Sequence, residues 1–109
     1  MLIVDLHLKG NLVIVVGSGN EGVKKVSSLL TQDCEILVIS DKSNSQIERY
    51  AKQGKIRFKK TKLKDASFLS KYKPYLVMAT TFDRTLNRKI VEKARRMKSY
   101  AYEIGRAHV

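Results

Sequence analysis

Sulfur, proline and acid are scarce in this 109-residue chain. Cys34 is the single cysteine, so no intrachain disulfide can form, and a reducing cytosol fits. The two histidines, His7 and His108, stand at opposite ends with no cysteine or carboxylate at ligand spacing, so no metal site is expected. No Ser/His/Asp arrangement is apparent either. No apolar run approaches the roughly 18 residues that span a bilayer. Leu2-Ile3-Val4 is followed at once by Asp5, which interrupts any signal-peptide core. A soluble, cytoplasmic protein that does not enter membranes is the expectation. Three Phe and five Tyr do not interleave with a basic stripe, so the aromatic platform of a single-strand nucleic-acid binder is missing.

Acidic residues number 10 against 22 Lys and Arg, a formal net charge of +12. Such a field attracts anions: nucleic acid, an acidic membrane, a polycarboxylate or a phosphate. A lysine-rich solvated surface is the plain alternative. The length suits one domain, and at 43% hydrophobic residues its core is modest. Roughly two-thirds of the unfolded surface is buried at this size. A large organic substrate would therefore need a partner chain or a further segment to enclose it.

The patterning alternates strand and helix. Asn11 to Val16 (N-L-V-I-V-V) is a continuous β-branched run ended by Gly17, as expected of a strand buried on both faces. Glu21 to Leu30 follows with Val23, Val26, Leu29 and Leu30 on a helical face. Glu35 to Ser40 is a second strand, and Ser43 to Gln53 a second helix closed by Gly54. Lys55 to Lys60 predicts a short basic edge strand, and Asp65 to Lys71 a helical turn ended by Pro74. Tyr75 to Ala79, Thr85 to Lys98 and Ser99 to Ile104 predict strand, helix and strand. Alternation of this kind implies βαβ units and a parallel sheet. The predicted class is α/β, a Rossmann-type doubly wound sheet in the order 3-2-1-4-5 within three α/β/α layers.

The chemistry centres on Gly17-Ser18-Gly19-Asn20-Glu21-Gly22, a G-x-G-x-x-G between the first strand and its helix. Gly17 permits the sharp turn, Gly19 a close backbone approach by a pyrophosphate, and Gly22 tight packing of helix on strand. The helix N-terminus presents free N–H groups and partial positive charge to phosphates. Asp41 follows the second strand, where a carboxylate accepts hydrogen bonds from ribose hydroxyls and repels a 2′-phosphate, favouring NAD over NADP. Lys42 beside it would tolerate a phosphate, and Asp41 could instead cap the next helix with Ser43. Ala79-Thr80-Thr81 ends the fourth strand and faces the glycine turn across the switch point. Thr81 or Asp83 is also placed to cap the helix starting near Thr85. Cys34, between a helix end and a strand, reads as buried and inert.

Taken together these segments resemble the NAD-binding domain of siroheme synthase, the family of precorrin-2 dehydrogenases and sirohydrochlorin ferrochelatases. The resemblance runs from about Leu6 to Ile104. It rests on Asp5-Leu6 with Lys9-Gly10, on V-V-G-S-G-N-E-G-V-K-K-V (Val15 to Val26), on Gln53-Gly54-Lys55-Ile56, and on A-T-T-F-D-R-T-L-N-R-K-I-V (Ala79 to Val91). It implies residues 1–104 as an NAD-binding domain and 105–109 as a tail, without the family's dimerisation and helical C-terminal parts. It implies oxidation of precorrin-2 to sirohydrochlorin with NAD as hydride acceptor, in a protein that is a homodimer at full length. Cofactor contacts would fall on Asn20 and Glu21, on Asp41 and Lys42, and on Ala79 to Thr81. The basic charge would then steer a substrate bearing eight carboxylates. The family's catalytic aspartate falls near Gly105, where this chain has none; Glu103 is the nearest carboxylate and the candidate base.

Two other readings stay open. A non-catalytic nucleotide sensor of the potassium-transport type would share the glycine turn and Asp41, although Lys60-Thr61-Lys62 replaces its expected Gly-Asp pair. Nucleic-acid binding would use Lys55, Arg57, Lys59, Lys60, Lys62 and Lys64, but no recognition helix accompanies them.

Overall fold

The computed structural model describes residues 6–107. Asp5 and His108 lie outside them. Five parallel strands form one sheet, β1 (Leu12–Val16), β2 (Glu35–Ser40), β3 (Arg57–Lys60), β4 (Leu76–Ala79) and β5 (Tyr100–Glu103). They run in the order β3-β2-β1-β4-β5, as the alternating pattern predicts. Four helices join them: α1 (Asn20–Leu29), α2 (Ser45–Lys52), α3 (Phe68–Tyr72) and α4 (Arg84–Arg96).

Strand alternation splits the core in two. On β1, Val13 and Val15 face one layer while Ile14 and Val16 face the other. The first layer joins Ile36 and Val38 of β2 to Val26 and Leu29 of α1 and Ile47 of α2. The second joins Leu37, Ile39, Val77 and Ala79 to Leu69 of α3 and Leu86, Ile90, Val91 and Ala94 of α4. Each such Val, Leu or Ile side chain, withdrawn from water, stabilises the fold by about 1.5–3 kcal/mol before conformational entropy is counted.

Helix ends follow local chemistry. Asn44 caps α2, its Oδ1 accepting from Gln46 N at 2.8 Å and Ile47 N at 3.2 Å. The cap expected of Asp41 with Ser43 is thus corrected, because Asn44 is the residue whose amide oxygen reaches the first turn. Asp83 caps α4 through Leu86 N at 3.0 Å, and Thr81 supports it by accepting from Asp83 N. Lys73, in the left-handed region at φ 48°, ends α3 one residue before Pro74. Cys34 is half-buried, its thiol donating to Leu29 O, and burial pushes its pKa up.

Part of the expected tail joins the sheet. Arg106–Ala107 forms β6, antiparallel to β5 with Glu103 opposite Arg106. Gly105 makes this reversal possible at φ +77°, a turn position suited to glycine. No run of three or four alternating apolar residues announces so short a strand.

Candidate functional site

Strand order reverses between β1 and β4, and there the loops following the strands diverge into a cleft of about 370 Å³. Its floor is the glycine turn. Gly17 has φ +114°, and a Cβ there would meet Thr80 Oγ1 at 2.6 Å. A Cβ on Gly22 would collide with the Gly17 carbonyl. Packing alone therefore holds both positions to glycine. Gly19 is different: its φ is −77°, and a Cβ would meet only the Phe82 ring, at 3.7 Å. The space above Gly19 opens into the cleft, a cradle that a side chain would begin to fill.

Gly19 is also the N-cap of α1, and no side chain caps this helix, in contrast to α2 and α4. The N-terminus of α1, the positive end of its dipole, thus meets the cleft at Gly19 without a side-chain acceptor.

A polar net holds the floor against β2. Ser18 Oγ donates to Lys42 O at 2.8 Å, and Ser40 Oγ lies 2.9 Å from Ser18 Oγ. With the Ser18 proton so committed, Ser40 must donate to Ser18 while it accepts from Lys42 N at 3.2 Å. The net fixes the main chain on either side of Asp41, which is exposed on the cleft wall beside Lys42.

Across the floor, Thr80 is buried and its hydroxyl donates to Val16 O at 2.8 Å, joining β4 to the end of β1. Thr81 is clamped by Asn87, a fully buried residue of α4. Asn87 Nδ2 donates to Thr81 O at 2.9 Å, while its Oδ1 accepts from Thr81 N and Thr81 Oγ1 at 3.2 and 2.6 Å.

The structure brings Gly17, Ser18, Gly19, Asp41, Lys42, Thr80 and Thr81 onto one cleft. Asn20, Glu21 and Gly22 form the first turn of α1 behind it, with Glu21 4.0 Å from both Lys24 and Lys25. Ala79 is buried beneath. Glu103, 5% exposed, lies instead in a neighbouring cavity, with Arg88 Nε 3.5 Å from its carboxylate. Sequence reasoning missed Asn87, the far wall of Thr61, Lys62 and Leu63 after β3, and Phe82, which is 95% exposed on the rim. Strand order alone could have located that wall, since β3 lies beside β2. Among the described residues, no group of three or more His, Cys, Asp or Glu could hold a metal ion, and no helix is long and apolar enough to cross a membrane.

From Thr61 past Asp41 and the glycine turn to Thr81 the cleft is a continuous groove, which suits an extended dinucleotide with its pyrophosphate on the α1 terminus. Fold and site define a Rossmann domain of the dinucleotide-binding class. Residues 4–105 match the NAD(P)-binding family NAD_binding_7. The chain belongs to that NAD(P)-binding family and, within it, to the siroheme synthase N-terminal and precorrin-2 dehydrogenase family. It is 33% identical over 89 residues to siroheme synthase of Nitrosococcus oceani, covering 82% of this chain and 18% of that protein. It is 19% identical over 94 residues to precorrin-2 dehydrogenase of Bacillus subtilis, covering 86% of this chain and 56% of that one. Among solved structures, SirC, a precorrin-2 dehydrogenase, superposes with a TM-score of 0.71 at 26% identity over 83% of this chain and 44% of its own. The chain thus spans about a fifth of the siroheme synthases it matches and under half of SirC.

Proposed function

We propose that this chain is the NAD-binding domain of a precorrin-2 dehydrogenase-like protein, which oxidises precorrin-2 to sirohydrochlorin in siroheme biosynthesis. The observation that carries the reading is the unfilled space over Gly19 at the uncapped N-terminus of α1, the one glycine of the turn that packing does not explain. Support for the substrate comes from the named relatives and from the +12 charge, which suits a polycarboxylate.

The main chain of Gly17 to Gly22 binds the pyrophosphate, and Ser18 keeps that loop rigid through its bonds to Ser40 and Lys42. Asp41 accepts from the adenosine ribose, with Lys42 at its side and Thr61 to Leu63 closing the adenine end. Thr80, Thr81 and the underlying Ala79 shape the nicotinamide end. NAD, when bound, supplies the hydride acceptor. Residues 1–104 act as the cofactor domain of an assembly, a homodimer in the whole protein, whose other parts complete the substrate site.

Thermal protection by NAD and NADP tests the assignment. NAD should raise the melting temperature more than NADP, and Asp41→Asn should narrow the difference. Equal protection of the unaltered chain by both nucleotides would remove Asp41 from its role. No protection by either would end the dinucleotide reading.

A further inference from the structure

The cations of β3 belong to neither the cleft nor the core. β3 stands at one end of the strand order, so among the described residues no strand lies beyond it. Arg57, Lys59 and Lys60 are exposed there, and only Phe58 is half-buried. None of the four lines the dinucleotide cleft, which this segment reaches only at Thr61. The ion pairs described, Glu21 with Lys24 and Lys25 and Glu103 with Arg88, leave this edge out.

Register sorts the edge by face. Arg57 and Lys59 stand beside Leu37 and Ile39 and share the α3 side of the sheet. Lys59 Nζ lies 6.0 Å from the centre of the Tyr72 ring, and Lys71 Nζ 5.4 Å from the same point. Phe58 stands beside Val38 and packs on the α1 and α2 side. The backbone is sorted as well. Thr61 N–H donates to Ser40 O at 2.8 Å, so Lys59 and Thr61 turn their peptide groups toward β2. Alternation turns those of Phe58 and Lys60 outward.

Lysine on an open edge keeps copies of one chain apart. That guard is selective by sign: it repels a second basic edge and attracts an acidic one. We propose that β3 receives an extended acidic segment of another polypeptide, which adds one strand to the sheet. Its main chain pairs with the outward N–H and C=O groups of Phe58 and Lys60. Acidic side chains at alternate positions meet Arg57 and Lys59 on one face, and apolar ones between them cover Phe58 on the other. A nucleic acid matches the cations but not this alternation of faces.

A short fluorescent peptide alternating glutamate with valine is the probe, its binding to the full chain read by anisotropy. Arg57→Gln/Lys59→Gln should weaken binding about tenfold, the loss of two cross-strand charge pairs. Arg96→Gln/Lys98→Asn removes the same charge from exposed positions around the end of α4 and should leave affinity within about twofold. Equal losses in the two double variants would make the affinity a product of diffuse charge and overturn the proposal. Lys60→Pro removes an outward N–H and keeps the Thr61 bond to β2, so it should bind more weakly than Lys60→Gln. Peptides N-methylated on the glutamates or on the valines put the same question without altering the protein. One of the two should lose binding and the other keep it, because only one set of amides faces β3. Equal binding by both would overturn strand addition. A single-stranded oligouridylate is titrated in parallel. Tighter binding of that RNA than of the peptide, with the same loss in Arg57→Gln/Lys59→Gln, would make the edge a nucleic-acid surface and overturn the proposal.

Discussion

Gly17 and Gly19 stand two residues apart, and different forces hold them to glycine. At Gly17 the backbone lies at φ +114° and Thr80 Oγ1 occupies the room a Cβ would need. Gly17→Ala should therefore cost well over about 1 kcal/mol, as alanine does where φ is positive. At Gly19 the backbone is ordinary and the nearest neighbour is the exposed Phe82 ring at 3.7 Å. Gly19→Ala should leave the melting temperature of the free protein within a degree or two, on the order of the small effect of a cap change to alanine offset by gained propensity. The same variant should lose protection by NAD, because its methyl group stands where phosphate oxygens must approach the amides. Calorimetric melting with and without NAD separates the two effects. A Gly19→Ala protein protected as well as the parent would show that no ligand approaches that amide.

Among the elements, the order of strands and helices was legible because each is long or strongly patterned. The β-branched runs of β1 and β2 and the stripe of Leu86, Ile90, Val91 and Ala94 on α4 need no tertiary context to be read. The glycine turn and Asp41 were legible for the same local reason. The pieces not read from sequence depend on distant partners. Asn87 reads as one more polar position on a helix until the fold brings Thr81 against it. Pairing of β6 depends on the exposed edge of β5, and Phe82 acquires meaning only from the two cavities it divides. Asn44 and Ser43 are neighbours with equal capping propensity, and only the folded chain shows that Asn44 holds the extended cap position. Replacing a cap and replacing the clamp should differ accordingly. Asn44→Ala removes two acceptor contacts at a half-buried helix end and should cost about 1 kcal/mol. Asn87→Ala leaves a buried void and strips the Thr81 backbone of its partners, so about 2–4 kcal/mol is expected. Urea denaturation of the two variants orders them. An Asn44→Ala protein less stable than Asn87→Ala would show that the Thr81 loop does not depend on the clamp.

Across the whole molecule the dominant fact is charge. A net +12 is spread over a body measuring 33 × 29 × 27 Å. The Debye length is about 30 Å at 0.01 M salt and about 8 Å at 0.15 M. At low salt every cation therefore feels nearly all the others, and at physiological salt only its neighbours. Self-repulsion of this kind disfavours the compact state, while the expanded chain relieves it. Ion pairs that stand against it among the described residues include Glu21 with Lys24 and Lys25, both at 4.0 Å, and Glu103 with Arg88. The first two are long contacts at the helix surface, with Lys24 exposed and Glu21 and Lys25 half-buried, and each is worth about 1 kcal/mol or less. Sodium chloride should thus raise the melting temperature between about 0.01 and 0.15 M, the reverse of its effect on a fold held by surface ion pairs. Binding of polyanions should move the other way, weakening as the same screening sets in. The two trends share one cause, so they must appear together. A melting temperature that falls with salt would show that the surface pairs outweigh the repulsion.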